Sequence, residues 1–376
     1  MLKVIITGVY RSGTTLIEKI LHNHPSGIIG SQPFPFLYPE VKKLFNDKNN
    51  LSNTPYPINE GLGEKNFKWD NFSRYLDDKW LNASQLNRWK NNMKDYSGCH
   101  MKNFLNTELH SSVFKDVLVH IFKTIELNYP KSQVQFVGFK EILLEDFIPF
   151  ALQNSIKTVL IIRDPRDVIC SINHSEKVNH VGNRRPLLYT IRLWRKSVAL
   201  EIQYKNHPNF ISIKYEDLVQ DTYYTLAKIC RFLNVDNFSE NFFETPILNQ
   251  EREVWLGNSS FGKHEGLNPS SIGKYKIKMG KGELEFIEYL CSPEMIYAGY
   301  PVYSKNLGKA SIYSYVENID NLHRSFKESN LKNKTDLDFE IARLKMLSDN
   351  DNRDEKELGR YFFNKKIYLS LKKYFI

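Results

Sequence analysis

The chain of 376 residues has only four cysteines, Cys99, Cys170, Cys230 and Cys291, and none stands in a C-x-x-C pair. A disulfide framework and a cysteine zinc site are thereby excluded as organising features, and a reducing compartment is expected. No apolar run approaches the roughly 18 residues that cross a bilayer. An apolar strand pattern begins at Leu2, which leaves no space for a secretory leader, so a cytoplasmic location is expected. Charge of one sign does not dominate either: 52 Lys and Arg against 43 Asp and Glu leave +9. That excess suits a nucleic acid, an anionic nucleotide, an acidic polymer or a membrane surface equally well, and chooses among none of them.

One further absence is a single lysine. Residues 2–16, LKVIITGVYRSGTTL, run as an apolar strand into a Gly- and hydroxyl-rich turn and on into a helical pattern. Main-chain N–H groups at such a turn, with the positive end of the next helix, bind an anion. The frame Gly8-x-x-x-x-Gly13-Thr14-Thr15 has the spacing of a nucleotide phosphate loop, but Thr14 stands where that loop carries its lysine. The lysine serves the β- and γ-phosphates, so its loss argues against a triphosphate ligand, and Arg11 supplies a cation from a different place.

Three more apolar segments, 134–139, 158–162 and 210–213, read as buried parallel strands, each with a helix after it. With the first strand they predict an α/β fold, a P-loop-type doubly wound parallel sheet flanked by helices. Ligands of such sheets lie beyond the carboxyl ends of the strands, where Lys140, Arg163 and the Lys214-Tyr215-Glu216 run emerge. In VLIIRDPRD, Asp164 and Asp167 suit the start of a helix opened by Pro165. Arg163 is at the strand end beside the turn, where a guanidinium can clamp a phosphate through two donors. The stretch 47–66, rich in Asn, Pro and Gly, predicts an irregular loop, and apolar spacing predicts a long amphipathic helix over 106–129.

Together, RSGTTL from Arg11, the segment 159–167 and Ser171 resemble the sulfotransferases that use 3′-phosphoadenosine 5′-phosphosulfate (PAPS), most closely the branch with tyrosylprotein and glycan sulfotransferases. The likeness covers roughly residues 2–300. It implies that Arg11, Ser12, Gly13, Thr14 and Thr15 hold the 5′-phosphosulfate, that Arg163 and Ser171 bind the 3′-phosphate, and that Tyr215 lies near the nucleotide. It further implies a closing loop with Ser259 and Lys274, and Lys140 on the transferring sulfuryl group. PAP, 3′-phosphoadenosine 5′-phosphate, would be the product, and no metal is called for. The branch's catalytic glutamate falls on Gln32, an amide that cannot take a proton usefully, so Glu40 is the nearest substitute, with His100 and Glu60 as other candidates. The implied acceptor is a small molecule or a saccharide of a surface polysaccharide or glycolipid. Trp69, Trp80, Trp89, Trp194 and Trp255 are candidate stacking platforms.

Residues 1–303 are assigned to this domain and 304–376 to a helical extension, with helical stretches at 311–326, 337–347 and 355–376. The extension ends in a basic amphipathic pattern, with Lys365, Lys366, Lys372 and Lys373 among Phe363, Ile367, Leu371 and Phe375. Such a helix either lies on an anionic membrane surface or packs back on its own domain. Rival readings are a P-loop kinase or triphosphatase with Asp164 on magnesium, and a catalytically inactive nucleotide- or glycan-binding relative. A nucleic-acid partner, the remaining rival, is not expected.

Overall fold

A computed structural model describes residues 1–33, 37–49, 68–94, 112–175, 184–257, 267–304, 333–349 and 353–375. Its centre is a sheet of five parallel strands, β1 (Leu2–Thr7), β2 (Gly27–Ser31), β3 (Phe136–Lys140), β4 (Lys157–Ile162) and β5 (Phe210–Lys214). They lie in the order β2-β3-β1-β4-β5. Alternation along the strands explains why the runs are apolar throughout. Val4, Ile6, Val159 and Ile161 face one core, while Ile5, Leu160 and Ile162 face the other. A strand buried on both faces has no solvent side to carry polar residues.

Helices α1 (Thr14–Asn23) and α6 (Thr222–Leu233) cover the first face through Leu16, Ile17, Ile20, Leu226 and Ile229. On the second face lie α3 (Phe114–Asn128), α4 (Pro165–Asn173), α5 (Leu187–Tyr204) and α7 (Lys281–Tyr297), with α2 (Leu37–Lys48) joining the same core through Leu37, Val41 and Phe45. The strands expected from sequence are present, and β2 is an addition to them. Its GIIGS sequence is short and holds two glycines, so it carries little strand signal of its own; pairing with β3, Ser31 beside Lys140, makes it one. The helix expected over 106–129 is observed from Phe114 to Asn128. Most of the 47–66 loop, together with residues 106–111 and 311–326, lies outside the described residues.

Beyond residue 333 the chain forms α8 (Asn333–Ser348), α9 (Glu355–Phe362) and α10 (Lys365–Lys372). These helices are fastened to the sheet domain. Leu344, Leu347, Leu358, Phe362, Ile367 and Leu371 share a hydrophobic cluster with β4 and α5. Phe363 stacks on Trp69 with ring centroids 4.4 Å apart. The apolar face of the basic terminal pattern is thus turned into the protein, and Lys366 donates to the Gln203 carbonyl at 2.5 Å. No helix among the described residues is long and apolar enough to cross a membrane.

Charge also ties α8 down. Glu340, fully buried, accepts from Arg192 Nε at 2.6 Å and from Arg195 Nη1, both on α5, while Arg343 pairs with Glu294 of α7. Burial alone would raise the Glu340 carboxyl; Arg195 and Arg192 outweigh it and bring it down to about 2. Removing one partner of a buried pair strands the other, at a cost of about 3–5 kcal/mol. Glu340→Gln is therefore expected to lower stability by about that amount, read from the urea midpoint at neutral pH. Because the folded carboxyl lies below its unfolded value, its contribution is complete above about pH 4.5 and is lost as the pH falls toward 2. The variant should lack that share of the acid-side decline.

Candidate functional site

The carboxyl ends of the strands gather the polar residues. β1 stops at Thr7, and the chain turns through Gly8 to Gly13 before α1 begins. Gly8 has no room for a side chain, since a Cβ there would lie 2.5 Å from the Ile161 carbonyl oxygen. Gly13 has φ 99°, and a Cβ there would lie 2.3 Å from Tyr215 Cδ2. Ser12, buried, closes the turn by donating from Oγ to the Val9 carbonyl at 2.5 Å. Gly13 occupies the N-cap of α1 without a side-chain cap, so no Ser or Asp oxygen meets the first-turn amides of Thr14 and Thr15. A ligand oxygen suits that end.

Arg163 leaves β4 directly toward this turn. Its Nη1 donates to the Arg11 carbonyl at 2.9 Å and its Nη2 to the Ser271 carbonyl at 2.6 Å. The guanidinium lies 4.4 Å above the Tyr215 ring, and Tyr215 in turn contacts Ser271 Oγ through its hydroxyl at 2.5 Å. Arg163 is 5% exposed and makes no ion pair among the described residues, and its Nε has no acceptor. The forked clamp expected from sequence is therefore engaged with two main-chain carbonyls, leaving Nε. Arg11 comes to the same spot. Its Nε donates to Ser171 Oγ at 3.0 Å, and burial together with the neighbouring Arg163 pushes its guanidinium down to about 10. Arg11 holds φ 66°, a left-handed conformation that costs a side-chain-bearing residue about 1 kcal/mol or more.

The acids of this region have structural work. Asp164 caps α4 by accepting from the Arg166 amide at 2.9 Å and pairs with the Arg166 side chain at 2.6 Å. Its carboxylate is committed there, which leaves the magnesium role of a kinase without its ligand. Asp167 accepts from the amides of Gly273 and Tyr275 at 2.6 and 3.2 Å, pinning the segment that carries Lys274 beside the site. Glu216 takes the Asp164 amide and the Tyr300 hydroxyl, both at 3.0 Å.

A second polar group lies one strand away. Lys140, at the end of β3 and 2% exposed, donates to Gln32 Oε1 at 2.8 Å and lies 3.3 Å from Glu18 Oε2. Ladder register explains the first contact: Ser31 pairs with Lys140, and Gln32 extends the ladder by donating its amide to the Lys140 carbonyl at 2.8 Å. Gln32 holds φ 48°. Glu18 is a functional candidate that the pattern reading passed over. Its signal was a carboxylate set in the buried stripe of α1, beside Ile17.

Glu40 does not join either group. Its carboxylate meets Arg88, a 57% exposed side chain, at 2.5 Å. Of the proposed platforms, Trp69, Trp89 and Trp194 are core residues, and Trp194 Nε1 donates to the Arg163 carbonyl at 2.8 Å; Trp80 is 56% exposed. Ser259, Glu60 and His100 lie outside the described residues.

A family model described as "Sulfotransferase family" matches residues 3–240. Among solved structures, the sulfotransferase domain from the curacin biosynthetic pathway is similar at 18% identity, covering 81% of this chain and 99% of its own, with a TM-score of 0.42. The sulfotransferase domain from the Synechococcus PCC 7002 olefin synthase gives 17%, 74%, 88% and 0.40 in the same order. A mouse sulfotransferase complexed with PAP gives 12%, 78%, 84% and 0.38. No curated protein shows significant similarity in sequence.

Proposed function

The chain belongs to the sulfotransferase family, and from that premise we propose that it moves a sulfuryl group from PAPS to a hydroxyl or amine acceptor. What supports a donor with phosphate at both ends is Arg163. A buried guanidinium with no ion pair and no acceptor for its Nε among the described residues sits against the phosphate loop and beside a second guanidinium, Arg11. Two cations at one place, Arg163 buried and Arg11 half-buried, are costly alone and favourable around an anion. The residues therefore fit the donor. When bound, it supplies an activated sulfuryl group on a phosphate leaving group.

In this reading the amides from Gly13 to Thr15, with Ser12 and Arg11, hold the 5′ end, and Arg163 and Ser171 hold the 3′-phosphate. Tyr215 keeps the Arg163 plane in place by stacking. Lys140 neutralises charge where the sulfuryl group departs, and Ser259 and Lys274 belong to a segment that closes over the donor. The acceptor, a saccharide unit, is proposed on the family likeness. Glu40 has no proton-accepting role in this reading, because its contact is with the exposed Arg88.

The test is titration calorimetry of the full chain with PAP and with ADP. PAP is expected to bind at least 10-fold more tightly, as one charge-assisted contact to the 3′-phosphate contributes about 1.5–3 kcal/mol. Equal affinities would refute the donor assignment.

A further inference from the structure

Lys140 is held by more than the strand that carries it. Glu18, fully buried on α1, divides its two oxygens among four donors. Oε2 lies 3.3 Å from Lys140 Nζ and accepts from Ser31 Oγ at 3.1 Å. Oε1 lies 3.0 Å from Lys19 Nζ and accepts from Gln250 Nε2 at 2.9 Å. Gln250 is drawn from a distant turn, and its own Oε1 accepts from Lys19. Burial alone would raise the carboxyl; Lys140 and Lys19 overcome it, and Glu18 is held below the usual carboxylate range.

We infer that Glu18 is a positioning residue for sulfuryl transfer, a buried carboxylate that sets where the Lys140 ammonium sits. The inference rests on the sulfotransferase reading. Three observations carry it. First, α1 starts at the phosphate loop, so Glu18, one turn in, ties the lysine of β3 to the element that cradles the 5′ end. Second, both carboxylate oxygens are taken and no part of the residue reaches solvent, which leaves it no contact with an acceptor and confines it to acting through Lys140. Third, the charges in mutual contact are two cations, Lys19 and Lys140, and one anion, Glu18. One positive charge remains in excess, and a monoanionic sulfuryl group is its complement. Ser31, Gln32 and Gln250 are the neutral partners, and Glu141, buried, is the next residue along the chain.

A residue needed only for packing would affect stability alone. A positioning carboxylate has a second signature. Without it, Lys140 stays buried with no counter-ion, and burial favours the neutral amine as pH rises. The measurement uses PAPS hydrolysis by the full chain, which needs no acceptor: a water oxygen forms the new bond to sulfur, the bond from sulfur to the 5′-phosphate oxygen breaks, and PAP and sulfate are released with the water's two protons passing to the phosphate and to solvent. Glu18→Gln is expected to keep PAP affinity within about 5-fold and to slow hydrolysis by about 10- to 100-fold, a part of what removing such a cation costs. The variant-to-parent ratio of rates should fall further from about pH 6 to about pH 9, because the buried lysine is losing its proton.

Glu18→Asp keeps the charge but withdraws it by one methylene, and should show the same slowing in milder form with the pH dependence reduced. This second variant decides the matter if the glutamine form does not fold. A parent that neither binds PAP nor hydrolyses PAPS refutes the sulfotransferase reading itself. A parent that does both, with a variant whose rate ratio is near one or does not change with pH, overturns the role of Glu18 alone.

Discussion

Removing the Lys140 ammonium, as in Lys140→Ala, is expected to slow PAPS consumption by about 100- to 1000-fold while PAP affinity changes by no more than a few-fold. The split between rate and affinity follows from where the charge acts. PAP lacks the sulfuryl group, so a lysine directed at that group has little to lose in the product complex. A preorganised cation counts most where charge develops, in a site from which water is excluded. Lys140 meets that description: it is 2% exposed, and Gln32 and Glu18 fix its ammonium from two sides. The variant should remain folded, because Glu18 keeps Lys19, Gln250 and Ser31 as partners after the lysine is gone. Lys140→Met fills the space that alanine leaves open and should reproduce the kinetic loss. Comparison of single-turnover PAPS consumption with PAP calorimetry makes the check. A rate within a few-fold of the parent in both variants would show that the lysine is structural.

How far this site was legible in the sequence depended on what kind of signal each residue left. The glycine turn after β1 was legible because glycines and hydroxyls at fixed spacing after a strand have few other uses, and Gly8 and Gly13 do sit where a Cβ would collide. Arg163 was legible from its place at a strand end. Its partners were not, since the carbonyl of Ser271 and the ring of Tyr215 reach it from segments with no periodic relation to it. Glu18 was hidden for the opposite reason. On an apolar helix stripe one carboxylate looks like an imperfection until β3 brings Lys140 against it. Strand β2 shows the same dependence, because a five-residue run with two glycines in it becomes a strand only when a neighbour supplies the ladder. The terminal helix was read either as a membrane-surface element or as packing on its own domain, and the structure turns Ile367 and Leu371 inward. Amphipathicity identifies an apolar face but not what covers it.

Arg163→Ala is expected to weaken PAP binding by about 30- to 150-fold and ADP binding by about 10-fold or less, measured by calorimetry. The larger figure reflects the loss of a charge-assisted contact to the 3′-phosphate, about 2–3 kcal/mol. The smaller one reflects the second task of this side chain: it also donates to the Arg11 carbonyl and the Ser271 carbonyl, so its removal loosens a loop already held in a left-handed conformation at Arg11. Any nucleotide resting on that loop should feel the change. Arg163→Lys separates the two tasks. A lysine restores one positive charge but not the planar fork, and it cannot meet both carbonyls and a phosphate together. It is expected to recover part of the PAP preference while leaving the loop loosened. Should Arg163→Ala weaken PAP and ADP by the same factor, the arginine would be a support for the loop and nothing more. The 3′-phosphate would then have to be recognised elsewhere, with Arg11 and Ser171, joined at 3.0 Å, as the remaining pair that could meet it.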